Sequence, residues 1–349
     1  MSMFVPDGLR PPGLFPAEPR VIYKTKRKNL THEGRIGRMD RVETLNAFRD
    51  FSHAFNTHRP RLEPELGGYL HNHGFLPDKG ALFGISPEMI DPEKPDEHSD
   101  WLGQYLSDFQ TRILPLANGR YSAAGGNRLF LWRLHRQVLP LAPLIGSRQS
   151  GRVIRHAETG GPILSRTMET ARSASPVWSR DLPEGETKTE AGDRVYLQAP
   201  QSDEKTRVMR IAILHDPRTK LPFVLGAVLL EAPLAELDAP HQEITCRRID
   251  PELGMAGPMR RFRRGVVEKP ELLDEAHRLV PGWWPALTAV LTGFRKLPVW
   301  AVMQIDIVES EAGPVVVDMT DQLDAAALQL DGPIMGSEPA IRFLKEFGV

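Results

Sequence analysis

The sequence predicts an α+β protein in which helices come first and strands follow. Three observations support this. Apolar residues recur at helical spacing up to about residue 139; from about residue 151 they fall into short runs separated by turns; and one helical stretch returns before a final pair of strands. That order differs from the regular strand–helix alternation of a parallel sheet. With 349 residues and 41% hydrophobic composition, the chain can bury one large core or two to three linked lobes.

The first twenty residues, rich in Pro, read as an arm or ordered coil, and "VIYKTKRKN" reads as a basic, solvated face. In "RVETLNAFRDFSHAF", Leu45, Phe48, Phe51 and Phe55 stand at helical spacing, which predicts an amphipathic helix with an aromatic stripe in the core. Residues 64 to 100 carry many Pro, Gly and Asp and read as a long connection with short turns. A helix is expected over "SDWLGQYLSDFQTRILPLAN", capped by Ser99 or Asp100 and stopped near Pro115, then another over "GNRLFLWRLHRQV". Strands follow at "GRVIRHA", "GPILSRT", "RVYLQAP", "RVMRIAILHD", "FVLGAVLLEA" and "ITCRRID". A helix is expected near "PELLDEAHRLV", then strands at "VWAVMQIDIV" and "GPVVVDMT". The division that results is an N-terminal arm and helix over 1–64, a helical region with a small lobe over 65–195, and a large lobe over 196–349.

Charge excludes some partners. The 44 Lys and Arg against 45 Asp and Glu leave no global field for nucleic acid or an anionic membrane. A lone Cys246 excludes an internal disulfide framework and a cysteine zinc cluster. The start lacks a charged lead into an apolar block, and no uninterrupted apolar run reaches membrane-spanning length, so a cytoplasmic protein is expected. Trp283 and Trp284 in "PGWWPAL" fill a core or an interface such as that of a homodimer, and core is the expectation.

Three stretches could carry chemistry. On a strand, His71 and His73 would point the same way and could share a metal, with Asp78, His98 and Asp100 downstream; ordinary hydrogen-bonding histidines are the alternative. "GGPILSRTMETARSASPVW" runs from a strand through Arg166 into a loop with Thr170, Ser173 and Ser175, whose small side chains and hydroxyls suit a loop over phosphates. In "QIDIVESEAGPVVVDMTDQLD", a hairpin places Asp306 and Asp318 among apolar neighbours. Acids clustered past a strand end are commonly just solvated; the alternative is that a charge among these apolar neighbours would be expensive unpaired, so that a cation or a basic partner is needed. Magnesium, which takes hard oxygen ligands, is one candidate.

From about Glu65 to Val349 this order of features resembles the ATP-grasp superfamily, most closely its sugar-transfer-associated, glutamate-ligase-like branch. "GGNRLFLWRLHRQVLPLAPLIG" is similar to its basic helix, with Arg128 for a lysine. "ILSRTMETARSASPV" is similar to its phosphate loop, with Arg166 for lysine and Thr170, Ser173 and Ser175 for glycines. "RVYLQAP" resembles the strand whose backbone meets adenine, at Tyr196, Leu197, Gln198 and Ala199, and "TRVMRIAIL" the Thr-x-Arg strand, at Arg210. "LDAPHQEITCRRIDPELG" is similar to the family's Asp-Asn, His-Gln-Gly-Gly and Asp-x-x-x-Gly succession, here with Asp238, His241, Gln242, Glu243, Asp250 and Gly254. The last block puts Asp306, Asp318 and Thr320 on the metal-ligand positions, with Gln329 and the closing helix also alike.

The resemblance implies ATP and Mg2+ as cofactors and an acylphosphate route joining a small-molecule or sugar-linked carboxylate to an amine. Arg128 and Arg166 would sit on phosphates and Arg210 on the acylphosphate oxygens. The departures are systematic: both lysines are arginines, the loop glycines are hydroxyl residues, and the last strand ends Asp-x-Thr. An ATP-dependent ligase and a catalytically degenerate binding or scaffolding protein both fit that pattern.

Overall fold

The structure, a computed structural model, describes residues 41–58, 64–85, 104–121, 126–150, 152–158, 162–168, 177–179, 182, 193–199, 206–232, 243–263, 265–297 and 300–347. The N-terminal arm, the basic stretch near residue 24, His98, Asp100, the loop residues Thr170, Ser173 and Ser175, and Asp238, His241 and Gln242 lie outside them.

Helix α1 (Arg41–His58) carries the expected aromatic stripe. Phe51 and Phe55 are buried, and Phe48 meets Phe109 edge-on at 5.7 Å. The segment expected to be a turn-rich connection instead forms α2 (Pro64–Asn72) and α3 (Pro77–Phe83). Pro77 suits the first turn of α3, and Gly84, at φ 70°, closes it in the left-handed conformation that a Cβ would strain. Helix α4 (Asp108–Ile113) starts later than expected. Its cap is Ser107, which accepts from the Gln110 N–H while the Gln110 side chain accepts from the Ser107 N–H, a reciprocal pair; Ser99 and Asp100, the expected caps, lie outside the described residues. A 3-10 turn (Leu114–Tyr121) continues it. Helix α5 (Arg128–His135) is capped by Asn127, which accepts from the Phe130 N–H at 2.9 Å.

Two antiparallel sheets follow. The smaller joins β1 (Leu144–Gln149), β2 (Arg152–Arg155), β3 (Ile163–Thr167), β4 (Val177–Ser179) and β5 (Arg194–Gln198) in the order β2-β1-β5-β3-β4. The larger, eight-stranded sheet contains β6 (Thr206–His215), β7 (Pro222–Ala232), β8 (Glu243–Asp250), β9 (Met255–Arg263), β10 (Glu271–Asp274) and β11 (Arg278–Leu279). Strands β10 and β11 replace the helix expected near "PELLDEAHRLV". Arg247 of β8 explains the difference, because it donates to the Ala276 carbonyl at 2.8 Å and to Asp274 at 2.5 Å and so holds the segment extended. These tertiary bonds override a helical spacing of leucines.

The helix comes after that segment, as α6 (Trp283–Lys296), which buries Trp283, Ala286, Leu287, Val290 and Phe294. Trp283 fills the core as expected, whereas Trp284 is 51% exposed. The hairpin of β12 (Val302–Ser310) and β13 (Gly313–Thr320) completes the large sheet in the order β10-β9-β8-β7-β6-β12-β13, with β11 on β9. Along the outer side of β13, the Val316 N–H donates to Pro140 O at 2.8 Å and the Ala142 N–H donates to Val316 O at 2.9 Å. Helices α7 (Ala325–Leu328) and α8 (Glu338–Phe347) end the described chain. No helix among the described residues is long and apolar enough to cross a membrane.

Candidate functional site

Strand pairing creates the site. Asp306 lies at the centre of three strands, directly opposite Asp318 of β13 on one side and Arg210 of β6 on the other. Residues paired in this way share a face of the sheet, so the two aspartates and the arginine form one charged row. Asp318 faces Asp306 while Val316 faces Ile307, which makes Val317 the extra residue of a β-bulge beside the row.

Each acid in the row meets a guanidinium fork. Arg210 donates through Nε and Nη2 to the two oxygens of Asp306, both at 2.8 Å, and through Nη1 to Asp324 at 2.7 Å. Arg128 donates through Nε to Asp318 Oδ1 at 2.7 Å and through Nη2 to Oδ2 at 3.0 Å. Arg166 adds a bond to Asp318 Oδ2 at 2.8 Å. All six of these side chains are at least nearly nine-tenths buried. Three arginines against three aspartates leave the cluster formally neutral, and bidentate pairs of this kind are the strongest hydrogen-bonded ion pairs proteins make.

The local sequence explains how these groups meet. Arg128 is the first residue of α5, its N–H donates to Met168 O at 2.8 Å, and its Nη1 donates to Thr167 O at 2.9 Å. The helix start is thereby tied to the end of β3, on which Arg166 sits. Asp324 accepts from the Ala327 N–H as the cap of α7. Gln304, opposite Thr320 in the next row, accepts from the Asp324 N–H at 2.7 Å and so aims Asp324 at Arg210.

The remaining candidates have identifiable bonds. Thr320 accepts from the Gln322 N–H at 3.0 Å. Tyr196 and Leu197 are buried in the middle strand of the small sheet, the Gln198 N–H donates to Pro143 O at 2.8 Å, and the Ala199 N–H donates to Pro162 O at 2.8 Å. Gln329, fully buried, accepts from the Leu106 N–H at 2.6 Å and donates to Leu106 O at 3.0 Å, so it staples the N-terminal region to the large lobe. Burial pushes the Asp321 carboxyl up to about 6 despite hydrogen bonds from its own backbone, Gln322 and Asn118. His71 is on α2, packed tilted against Phe51 and edge-on against Phe55, and His73 bonds the Tyr69 carbonyl at 2.8 Å. His71 lies in the last turn of α2 and His73 in the turn just after it, not on a strand, so the strand-based metal pairing does not form.

Sequence reasoning missed the buried Arg148 and Arg194, which pair across β1 and β5. It also missed Lys79, which is buried between Asp78 at 2.7 Å and Asp108 at 3.4 Å. A lysine within "FLPDKGALF", among apolar neighbours, was the available signal for the latter.

The donor chemistry of this row does not fit magnesium. Every oxygen of Asp306 and Asp318 already accepts from an arginine, and among the described residues no group of three or more His, Cys, Asp or Glu is placed to hold a metal. A divalent ion would have to displace a guanidinium and would add uncompensated charge to a neutral, buried cluster.

No protein-family model matches the chain, and no curated protein sequence matches it. Solved structures do. A protein of Archaeoglobus fulgidus described as an ATP-grasp superfamily protein matches with 8% identity over 62% of this chain and 55% of its own, at a TM-score of 0.36. The L-amino acid ligase of Bacillus licheniformis matches with 8% identity over 62% of this chain and 48% of its own, at 0.37. The biotin carboxylase domain of Hydrogenobacter thermophilus 2-oxoglutarate carboxylase, solved with MgADP, matches with 10% identity over 65% of this chain and 46% of its own, at 0.38. The chain spans about half the length of these solved structures.

Proposed function

We propose that this protein is an ATP-grasp-like binding or scaffolding protein in which ATP-dependent ligation has been lost. One observation carries the reading. The acids on the two metal-ligand positions of the resemblance, Asp306 and Asp318, are closed by Arg210, Arg128 and Arg166 with all four carboxylate oxygens engaged. The same arginines stand where phosphate-binding side chains would be needed. Each of them already bonds an aspartate, so metal and phosphate would both have to break buried pairs, each at a cost of several kcal/mol.

A second reading has an observation in its favour. Arg128, Arg166 and Arg210 come from three different elements yet converge on one row with Asp306 and Asp318, as an ATP-dependent carboxylate–amine ligase would require. In that reading Asp306, Asp318 and Thr320 would take Mg2+. Arg128 and Arg166, with the loop residues Thr170, Ser173 and Ser175, would take phosphates, Tyr196 to Ala199 would line the adenine, and Arg210 would steady the acylphosphate.

Thermal-shift and calorimetric titration of the full chain with Mg-ATP separates the two, since a ligand that binds only the native state raises its melting temperature. The scaffold reading expects no magnesium-dependent shift and no ADP release with carboxylate and amine substrates. A saturable shift that needs both ATP and magnesium, accompanied by ADP formation, would overturn it.

A further inference from the structure

We infer that the guanidiniums of Arg128 and Arg166 serve as built-in cations in place of a divalent ion, latching α5 and the small sheet onto Asp318 of the large sheet without any ligand. The inference rests on the scaffold reading of the site and adds to it a specific role for two side chains.

The argument starts from charge placement. Asp318 is buried on β13, one strand beyond Asp306, where two carboxylates opposite one another repel unless positive charge lies between or beside them. A bridging metal would supply that charge as a single ion bound from solution. Here it is covalently attached to the other half of the molecule. Arg166 projects from β3 of the small sheet and Arg128 from the first turn of α5, and both end on the same carboxylate. The pairing therefore compensates the acid and joins the two sheets in one step. Arg128 also fixes the Thr167 backbone, so the strand that carries Arg166 is held in register with the helix that carries Arg128. A guanidinium suits this work better than an ammonium, because its planar fork matches both oxygens of one carboxylate and stays charged when buried.

If the arginines act as the cation, removing them should create a demand for one. The test follows melting temperature of the full chain, without nucleotide, in millimolar Mn2+ or Mg2+ and in chelator. Wild type should show the same melting temperature in all three conditions. The Arg128→Met, Arg166→Met double variant should melt several degrees lower in chelator and regain a dose-dependent part of that loss with Mn2+. Adding Asp318→Asn should abolish the regain, because the carboxylate that attracts the ion is gone. Loss of packing alone would lower the melting temperature but would not make it depend on a cation.

Should the double variant fail to fold, Arg166→Met alone keeps the Arg128 fork and should show the same Mn2+ response at smaller amplitude. Stabilisation of wild type by Mn2+, its destabilisation by chelator, or folded variants indifferent to Mn2+ would each overturn the inference. The functional reading is judged separately, by Mg-ATP binding and ADP formation in wild type, so the failure of the inference alone is distinguishable from the failure of the reading it rests on.

Discussion

Two buried ionic clusters in this protein solve the same problem differently. In the cluster around the sheet row, three arginines meet three aspartates through two bidentate pairs and two single bonds, all between 2.7 and 3.0 Å. In the N-terminal helical region, one lysine faces two aspartates, Asp78 at 2.7 Å and Asp108 at 3.4 Å. The first cluster is balanced; the second is short of one positive charge. Burial pulls the Lys79 ammonium down, but Asp108 and Asp78 more than offset this and hold it above its usual range. Burial pushes the Asp108 carboxyl up, Lys79 draws it back, Asp78 pushes it up again, and the balance is upward. A count of forks that equals the count of acids leaves each acid in the row with a partner, whereas a point charge shared between two acids leaves Asp108 with its carboxyl pushed upward.

Removing the anchor of the balanced cluster should have the largest effect. Asp318→Ala would strand Arg128 and Arg166 in the interior with no carboxylate, and a loss of about 3–5 kcal/mol is expected in chemical denaturation, enough to unfold a marginal protein. A loss below about 1 kcal/mol would mean the forks are solvated in solution and the contrast between clusters is false.

Lys79→Met comes next, at about 2–3 kcal/mol near neutral pH, because two buried carboxylates then face each other uncompensated. That loss should shrink as pH falls into the carboxylate range, where protonation removes the repulsion. A pH-independent loss would assign the effect to packing of the lysine stem instead.

Asp78→Asn is the finest test, with a change within about 1 kcal/mol at neutral pH. The sign follows from the raised value of Asp108. With its folded pKa above the unfolded one, Asp108 contributes stability that is present below the ordinary carboxylate pKa and lost as pH rises through the raised value. Removing the neighbouring charge should bring Asp108 back toward its usual range and flatten that limb of the stability–pH curve. A variant with the limb unchanged would show that burial alone, without Asp78, sets the shift.

Much of the balanced cluster could be read from the sequence, and little of the other. Asp306 and Asp318 stand within runs of β-branched and apolar residues, which weighs against plain solvation of these acids and for a charge that needs a partner. The sequence could not say whether that partner was an ion or an arginine, because the choice depends on which distant elements reach the row: Arg128 is 190 residues from Asp318. Lys79 escaped notice because Pro77 and Gly84 suggested turns, whereas Pro at a first turn and Gly at an end are also how a short helix is bounded. The misread helix near residue 275 has a similar cause. Its spacing was helical, but Arg247 supplied the hydrogen bonds that made extended chain the better solution.

The short segment that runs beside Val316 has a consequence for anyone dissecting this chain. Strand β13 is the last strand of its sheet, and its outward amide and carbonyl at Val316 are taken by Pro140 and Ala142, residues far away in sequence. An uncovered strand margin offers a template on which other chains can add. A fragment cut to begin after residue 142 would keep every strand of the large sheet yet lose this cover, and it should aggregate more readily than the intact protein.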